Sequence, residues 1–236
     1  MVESMNLAHK YDCCCHTHLG ETYDEDAFCI EKYGHRPVDY LEDVGWMNER
    51  VWLAHGIHFN DDEIKRLGKA KVGVCHCPSS NMTLASGQCR TQEMEKAGVR
   101  VGLGVDGAAS NDNSNLMESL RHALMINRLT YDAESVTHLD AYRWATEGSA
   151  ACLNRTDIGK ITVGKQADLA FYTLDELRFS GAHDPLAALV LCGAHSADRV
   201  MIAGKWTVED GMPVGVDVAR LRAEHGEAAK QFIDTL

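Results

Sequence analysis

No stretch of this chain approaches the ~18 consecutive apolar residues that a membrane-spanning helix requires, so none is expected. The N-terminus, Met1-Val2-Glu3-Ser4-Met5-Asn6, lacks a basic segment followed by an apolar one, and no secretory leader is expected either. Basic residues are scarce beside acidic ones, 23 against 35, for a formal net charge of -12. That balance argues against nucleic acid or an anionic membrane as a partner, because attraction to basic patches dominates affinity for both. A small neutral or cationic molecule fits better. The nine cysteines, at 13, 14, 15, 29, 75, 77, 89, 152 and 192, form no paired framework and no CxxC, a pattern expected of a reduced, cytoplasmic protein. Cys75-His76-Cys77 would send its two thiols to opposite faces of a strand, which argues against a structural zinc there. Repeats and low-complexity linkers are absent as well.

What remains is a chain of 236 residues, 45% hydrophobic and 25% charged, long enough to bury a sizeable core. After a helical start (Val2 to Tyr11), strand patterns at Cys13–Leu19, Val51–His55, Val72–Cys77 and Val99–Val105 alternate with helical ones at Asp24–Tyr33, Val38–Val44, Asn60–Leu67 and Thr91–Ala97. Such alternation predicts parallel strands joined by helical crossovers. Helices are expected again at Asn115–Arg128 and His138–Leu153, and their His122 and His138 read as surface or second-layer residues. Beyond Arg155 the pattern turns to glycine-punctuated alternation, with a hairpin at Val200–Val208 and a closing helix over Val216–Leu236. Two domains are therefore expected, 1–155 and 156–236.

The glycine-containing run Val101-Gly102-Leu103-Gly104-Val105 ends on Asp106. A carboxylate at the mouth of a core strand is either a cap for the following turn or part of a site, because an ionised group there needs compensation. Three other predicted strands also finish on groups that bind metal or move protons: His18, His55 and His76. In a (β/α) barrel the strand C-termini converge on one active site. Two imidazoles and a carboxylate suit Zn²⁺, which acidifies bound water to a pKa of roughly 7. Glu21, three residues past His18, is placed to shuttle a proton without competing as a ligand.

The segments His16-Thr17-His18-Leu19-Gly20-Glu21, Ala54-His55-Gly56, His76-Cys77-Pro78-Ser79-Ser80-Asn81-Met82 and Gly104-Val105-Asp106-Gly107-Ala108-Ala109-Ser110-Asn111-Asp112 resemble, in order, motifs of the amidohydrolase superfamily. The branch is that of the chlorohydrolases and aromatic-base deaminases, and Gly164-Lys165-Gln166-Ala167-Asp168-Leu169 resembles its return into a β-sandwich. Within it, Leu53–Phe59, Leu84–Gly87 and Leu177–Pro185 look closest to the 8-oxoguanine deaminases. The resemblance implies a metal-dependent deaminase of a purine-like base. His18 and Asp106 would be metal ligands, with Asp106 also taking a proton from the attacking water. Glu21 would protonate a ring nitrogen, His55 would polarise the reacting carbon or hold the hydroxide, and His76 and Asn81 would shape the substrate pocket. Zn²⁺ is the expected metal, with Fe²⁺ the alternative.

Members of that superfamily open with a strand carrying an HxH pair. The sequence after His16-Thr17-His18 matches the fifth strand instead. The resulting expectation is the C-terminal half of a (β/α)8 TIM-type barrel, strands five to eight, with part of a small β-sandwich. Open sheet edges would favour a homo-oligomer, and loss of the HxH pair would leave the chain weakly active. Two alternatives follow: a catalytically dead remnant acting in assembly or binding, and a triazine-type chlorohydrolase or aminohydrolase.

Overall fold

The computed structural model describes residues 1–193 and 196–235. Helix α1 (Val2–Tyr11) leads into β1 (Cys15–Leu19), α2 (Tyr23–Tyr33) and α3 (Pro37–Asp43). Then β2 (Val51–His55), α4 (Asp61–Lys69), β3 (Gly73–His76), α5 (Pro78–Thr83), α6 (Thr91–Ala97) and β4 (Arg100–Leu103) follow, with one or two helices between successive strands. The four strands form one parallel sheet in the order β1-β2-β3-β4.

Register decides where the strands' chemistry lands. His18 pairs with Ala54, Leu19 with His55, and His76 with Leu103. The C-terminal ends of all four strands therefore lie along one rim. Gly104 donates its N–H to the His76 carbonyl at 2.9 Å and extends the β4 ladder before the chain turns at Asp106.

The helices exist because their apolar stripes cover the sheet. Leu53, Val74 and Val101 from the strands pack with Leu67, Met94, Leu120, Leu124 and Trp144 from the helices in one buried cluster. Each such side chain contributes about 1.5–3 kcal/mol relative to exposure. Local signals fix the helix starts. Asn60 and Glu63 form a reciprocal capping box at α4, with Asn60 Oδ1 accepting the Glu63 N–H at 2.9 Å and Glu63 Oε2 accepting the Asn60 N–H at 2.7 Å. Pro78 opens α5 at a position where its missing N–H removes no helical bond.

After β4 come α7 (Leu116–Thr130), α8 (His138–Arg143), a π-helical turn (Trp144–Gly148) and α9 (Ser149–Cys152). The single helix expected over His138–Leu153 is thus interrupted. Gly148 lies so close to β4 that a Cβ would meet the Val101 carbonyl oxygen at 2.0 Å, and the Ser149 hydroxyl donates to the Trp144 carbonyl at 2.9 Å. Close approach to the sheet is what the widened turn accommodates.

The chain divides into two compact units, one of Met1–Lys165 and Glu176–His195, the other of Gln166–Asp175 and Ser196–Leu236. The first unit also contains α10 (Pro185–Leu191), capped by Asp184. The second is an antiparallel sheet of β5 (Leu169–Phe171), β6 (Arg199–Ile202), β7 (Lys205–Glu209) and β8 (Met212–Pro213), followed by α11 (Val218–Ile233). The β6–β7 hairpin lies where alternation predicted it, turning through Ala203 and Gly204, both at positive φ (48° and 77°). Helix α11 occupies most of the predicted tail helix; Leu236, its expected last residue, lies outside the described residues. No described helix is long and apolar enough to cross a membrane.

Candidate metal centre and catalytic site

Three of the predicted side chains meet at the rim. His18, His55 and Asp106 each offer one donor atom, and these atoms lie within 4.8 Å of one another. His18 Nε2 is 3.3 Å from Asp106 Oδ1, and His55 Nε2 is 3.8 Å from Asp106 Oδ2. Glu21 approaches from the loop after β1, with Oε2 3.5 Å from His55 Nε2.

Two of these donors sit on strained backbone. His55 and Asp106 occupy the left-handed region, with φ of 72° and 63°. For residues other than glycine this costs on the order of 1–3 kcal/mol, and such strain clusters at functional sites. At His55 the surroundings enforce it. The Gly56 N–H reaches back to the Leu19 carbonyl at 3.1 Å, and a Cβ on Gly56 would meet Val74 Cγ1 at 2.6 Å. The turn therefore requires glycine immediately after the histidine it aims.

Asp106 is held by a set of donors that sequence reasoning did not assign. Ser80 Oγ donates to its Oδ2 at 2.6 Å and Ser110 Oγ to the same oxygen at 3.0 Å. Burial alone would push the carboxyl up. The two hydroxyls, the Gly107 amide and His18 outweigh it and bring the carboxyl down to about 2, so Asp106 is an anion at neutral pH. Only a general signal in the sequence, small polar residues after a strand, pointed to these serines.

Glu25 is a second residue that the sequence reading missed. Its Oε2 accepts the Gly20 N–H at 2.6 Å and its Oε1 the Glu21 N–H at 2.8 Å. His55 itself is fully buried, and its Nδ1 is 2.8 Å from Asn81 Oδ1. His76 and Asn81 are buried behind the rim, each 1% exposed. Burial, then the neighbouring His55, lowers His76 to about 3, so it is neutral. His122 bonds Ser79 Oγ through Nδ1 at 3.0 Å, and His138 lies 3.3 Å from Asp184, both away from the cluster. Burial pushes the Cys77 thiol up to about 12, and a bond to Cys152 raises Cys75. Neither is poised as a thiolate ligand.

The donor set fits a divalent metal on its own geometry. His55 Nε2 is buried without a hydrogen-bond partner beside an ionised carboxylate and a second imidazole. Two imidazoles and one carboxylate make up the three-ligand shell of catalytic zinc sites, which keep a further position open.

Residues 1–207 match the Amidohydrolase family. The chain belongs to that family. Among relatives, it is 58% identical to an 8-oxoguanine deaminase of Pseudomonas aeruginosa over 99% of its own length and 52% of that protein's. It is 39% identical to a hydroxydechloroatrazine ethylaminohydrolase of a Pseudomonas species, over 95% of this chain and 48% of the other. Among solved structures, a zinc-bound adenosine deaminase of Xanthomonas campestris superposes with a TM-score of 0.92 at 32% identity, covering 100% of this chain and 54% of that one. A zinc complex of an atrazine chlorohydrolase from Arthrobacter aurescens superposes with a TM-score of 0.88 at 34% identity, over 93% and 49%.

These matches correct the expected fold class and the description of this amidohydrolase as a C-terminal half of a (β/α)8 barrel. The family match begins at residue 1 and runs to 207, and the superposition takes in the whole chain. The fold is an amidohydrolase α/β fold with a barrel-like parallel sheet, and the likeness extends over residues 1–207 in the family match and over the whole chain in the superposition. The expectation of a half barrel rested on matching the residues after His16-Thr17-His18 to the fifth strand of the family. In this chain the side chains of β1 to β4 and the surrounding helices meet in one buried cluster. The chain spans about half the length of the relatives it matches, as the 52% and 54% coverages state.

Proposed function

We propose that this amidohydrolase is a metal-dependent hydrolytic deaminase of a purine-like base, with 8-oxoguanine as substrate. The observation that carries the reading is the cluster of His18, His55 and Asp106 at one rim of the sheet, with Glu21 beside it. The 58% identity to an 8-oxoguanine deaminase supports the choice of substrate over the less similar relatives.

His18 and Asp106 would hold the metal, zinc or else iron, with a donor atom of His55 within 4.8 Å of both. When bound, it supplies a water acidic enough to attack at neutral pH. Asp106, already an anion, is the group that accepts a proton from the nucleophile. Glu21 delivers a proton to a ring nitrogen of the substrate, which makes the amidine carbon electrophilic. His55, fixed in the rim by burial, orients the reacting centre. His76 and Asn81 support the floor of the pocket from beneath. The exocyclic amine leaves as ammonia and an oxygen takes its place.

Nine free cysteines support a cytoplasmic location, and the edge strands β1 and β4 support a homo-oligomer. A second reading, a triazine hydrolase, rests on the superposition with the atrazine chlorohydrolase. Ammonia release from 8-oxoguanine, guanine and isocytosine, set beside chloride and alkylamine release from triazines, separates the two. Release of chloride or alkylamine without ammonia from any purine would overturn the deaminase reading.

A further inference from the structure

We propose that Arg36 and Asp26 are positioning residues for Glu21: their ion pair seats helix α2, and Glu25 on that helix holds the loop from which Glu21 projects. The inference rests on the reading of Glu21 as the proton donor, and it assigns a role to two side chains outside the donor cluster.

Helix α2 has no buried residue, and its Phe28 and Ile30 are more than half exposed. A helix in a folded protein ordinarily keeps its place by burying an apolar stripe. This one lacks that anchor, so its seat depends on specific contacts at its two ends. At the C-terminal end the Tyr33 ring stacks on Tyr40 of α3, with centroids 4.2 Å apart. At the N-terminal end the Tyr23 ring leans on His58 at 3.9 Å, Glu25 accepts the Gly20 and Glu21 amides, and Asp26 Oδ2 accepts from Arg36 Nη1 at 2.5 Å. The last of these joins two full opposite charges, and charge-assisted bonds of that kind are the strong ones.

Arg36 is itself fixed to the body of the fold. Its Nε and Nη2 donate to the two carboxylate oxygens of Glu63 at 2.6 and 3.1 Å, and Nη2 also reaches the His58 carbonyl at 3.2 Å. Glu63 is 2% exposed and belongs to the capping box of α4. A planar guanidinium held along one edge has its orientation set, and Nη1 is left for Asp26. The path from there to Glu21 is short. Glu25 and Asp26 are adjacent in the first turn of α2. The Gly20 carbonyl is gripped separately by the loop after β2, through Ile57 N at 2.8 Å and His58 N at 3.0 Å, whereas the Glu21 amide depends on Glu25. Glu21 Oε2 lies 3.5 Å from His55 Nε2, so a shift of α2 moves the acid relative to the cluster. A misplacement of about 1 Å can cost about 10²-fold in rate.

Removing Arg36 would strand buried Glu63, so the test removes Asp26. Asp26→Ala leaves the Arg36–Glu63 contact in place, and Asp24→Ala, an exposed acid in the same turn, controls for the charge at the helix start. Hydrogen exchange at the Gly20 and Glu21 amides should quicken severalfold in Asp26→Ala and stay at the wild-type rate in Asp24→Ala. Asp26→Asn, which keeps an oxygen for Arg36, should recover most of the protection. In ammonia release from 8-oxoguanine, Asp26→Ala should lower kcat by up to about 10²-fold with KM and bound zinc little changed. Because Asp26 acts through Glu25, the double variant Asp26→Ala/Glu25→Ala should lose no more kcat than Glu25→Ala alone. Exchange as slow in Asp26→Ala as in wild type overturns the proposal, and that measurement needs no turnover. So does an equal effect of Asp24→Ala, faster exchange with an unaltered kcat, or kcat losses that multiply in the double variant. Absence of ammonia release from the wild-type chain bears on the substrate reading, and the exchange rates then decide the positioning role alone.

Discussion

Both carboxylate oxygens of Glu25 are occupied by the backbone of the loop that presents Glu21, at 2.6 Å to Gly20 N and 2.8 Å to Glu21 N. The acid that we propose to protonate the substrate is therefore held through its main chain by another acid one helical turn away. Glu25→Ala frees both amides. The expected result is a fall in kcat of up to about 10²-fold with KM and zinc content little changed, because misplacement of a proton donor penalises the reacting geometry. Steady-state ammonia release together with metal analysis reads it, and an unaltered kcat would show that Glu21 holds its place unaided.

Asp106→Asn preserves shape and removes charge. Activity should fall about 10²–10⁴-fold, the usual worth of a positioned proton acceptor, and bound zinc should drop below one per chain. The substitution also has a signature in the metal-free protein. The Asp106 carboxyl lies at about 2 when folded against an ordinary 3.8, so its contribution to stability is complete above pH 3.8 and is lost as pH falls through 2. Acid unfolding of the metal-free Asp106→Asn chain should be shallower than wild type between those values. Identical acid limbs would contradict the account of its donors.

His76 gives a second pH dependence in a milder range. Folding lowers it from 6.5 to about 3, so between these values the unfolded chain binds more protons than the folded one. Stability should accordingly hold above pH 6.5 and decline as pH drops toward 3. Urea midpoints at pH 7.5, 6 and 5 measure the slope, and His76→Leu should flatten it.

Arg36 ties α2 to α4 and to the loop that follows β2. Its Nε lies 2.6 Å from Glu63 Oε1 and its terminal nitrogens reach Glu63, Asp26 and the His58 carbonyl. Glu63 is 2% exposed, so Arg36→Met would leave a buried carboxylate without its cation. A loss of about 3 kcal/mol in chemical denaturation is expected. Arg36→Lys should recover only part of it, since an ammonium cannot reproduce the paired contacts of the guanidinium.

Much of this architecture could be read from residue order. Alternating strand and helix patterns placed β1 to β4, and the residue types at their ends picked out His18, His55, His76 and Asp106, of which all but His76 meet in the cluster. Asn60 with Glu63 three residues later marked the start of α4. Other features leave no such trace. The left-handed backbone at His55 and Asp106 is imposed by packing and carries no glycine at those positions to announce it. Ser80 and Ser110 look like any small polar residues until the fold brings both hydroxyls to one carboxylate oxygen. Helix α10 lies in a stretch that reads as part of a β appendage, yet it groups with the parallel-sheet unit through contacts distant in sequence.

The register of the parallel ladder has a consequence for the order of events in folding. His18 and Asp106, separated by 88 residues, come within 3.3 Å only when β1, β2, β3 and β4 are all in place. Closing so long a loop is entropically unfavourable until the intervening strands reward it, so the donors assemble after most of the sheet. Capture of a divalent metal during refolding should therefore work as a clock: its appearance is expected when the last strand docks, later than any signal from the helices alone.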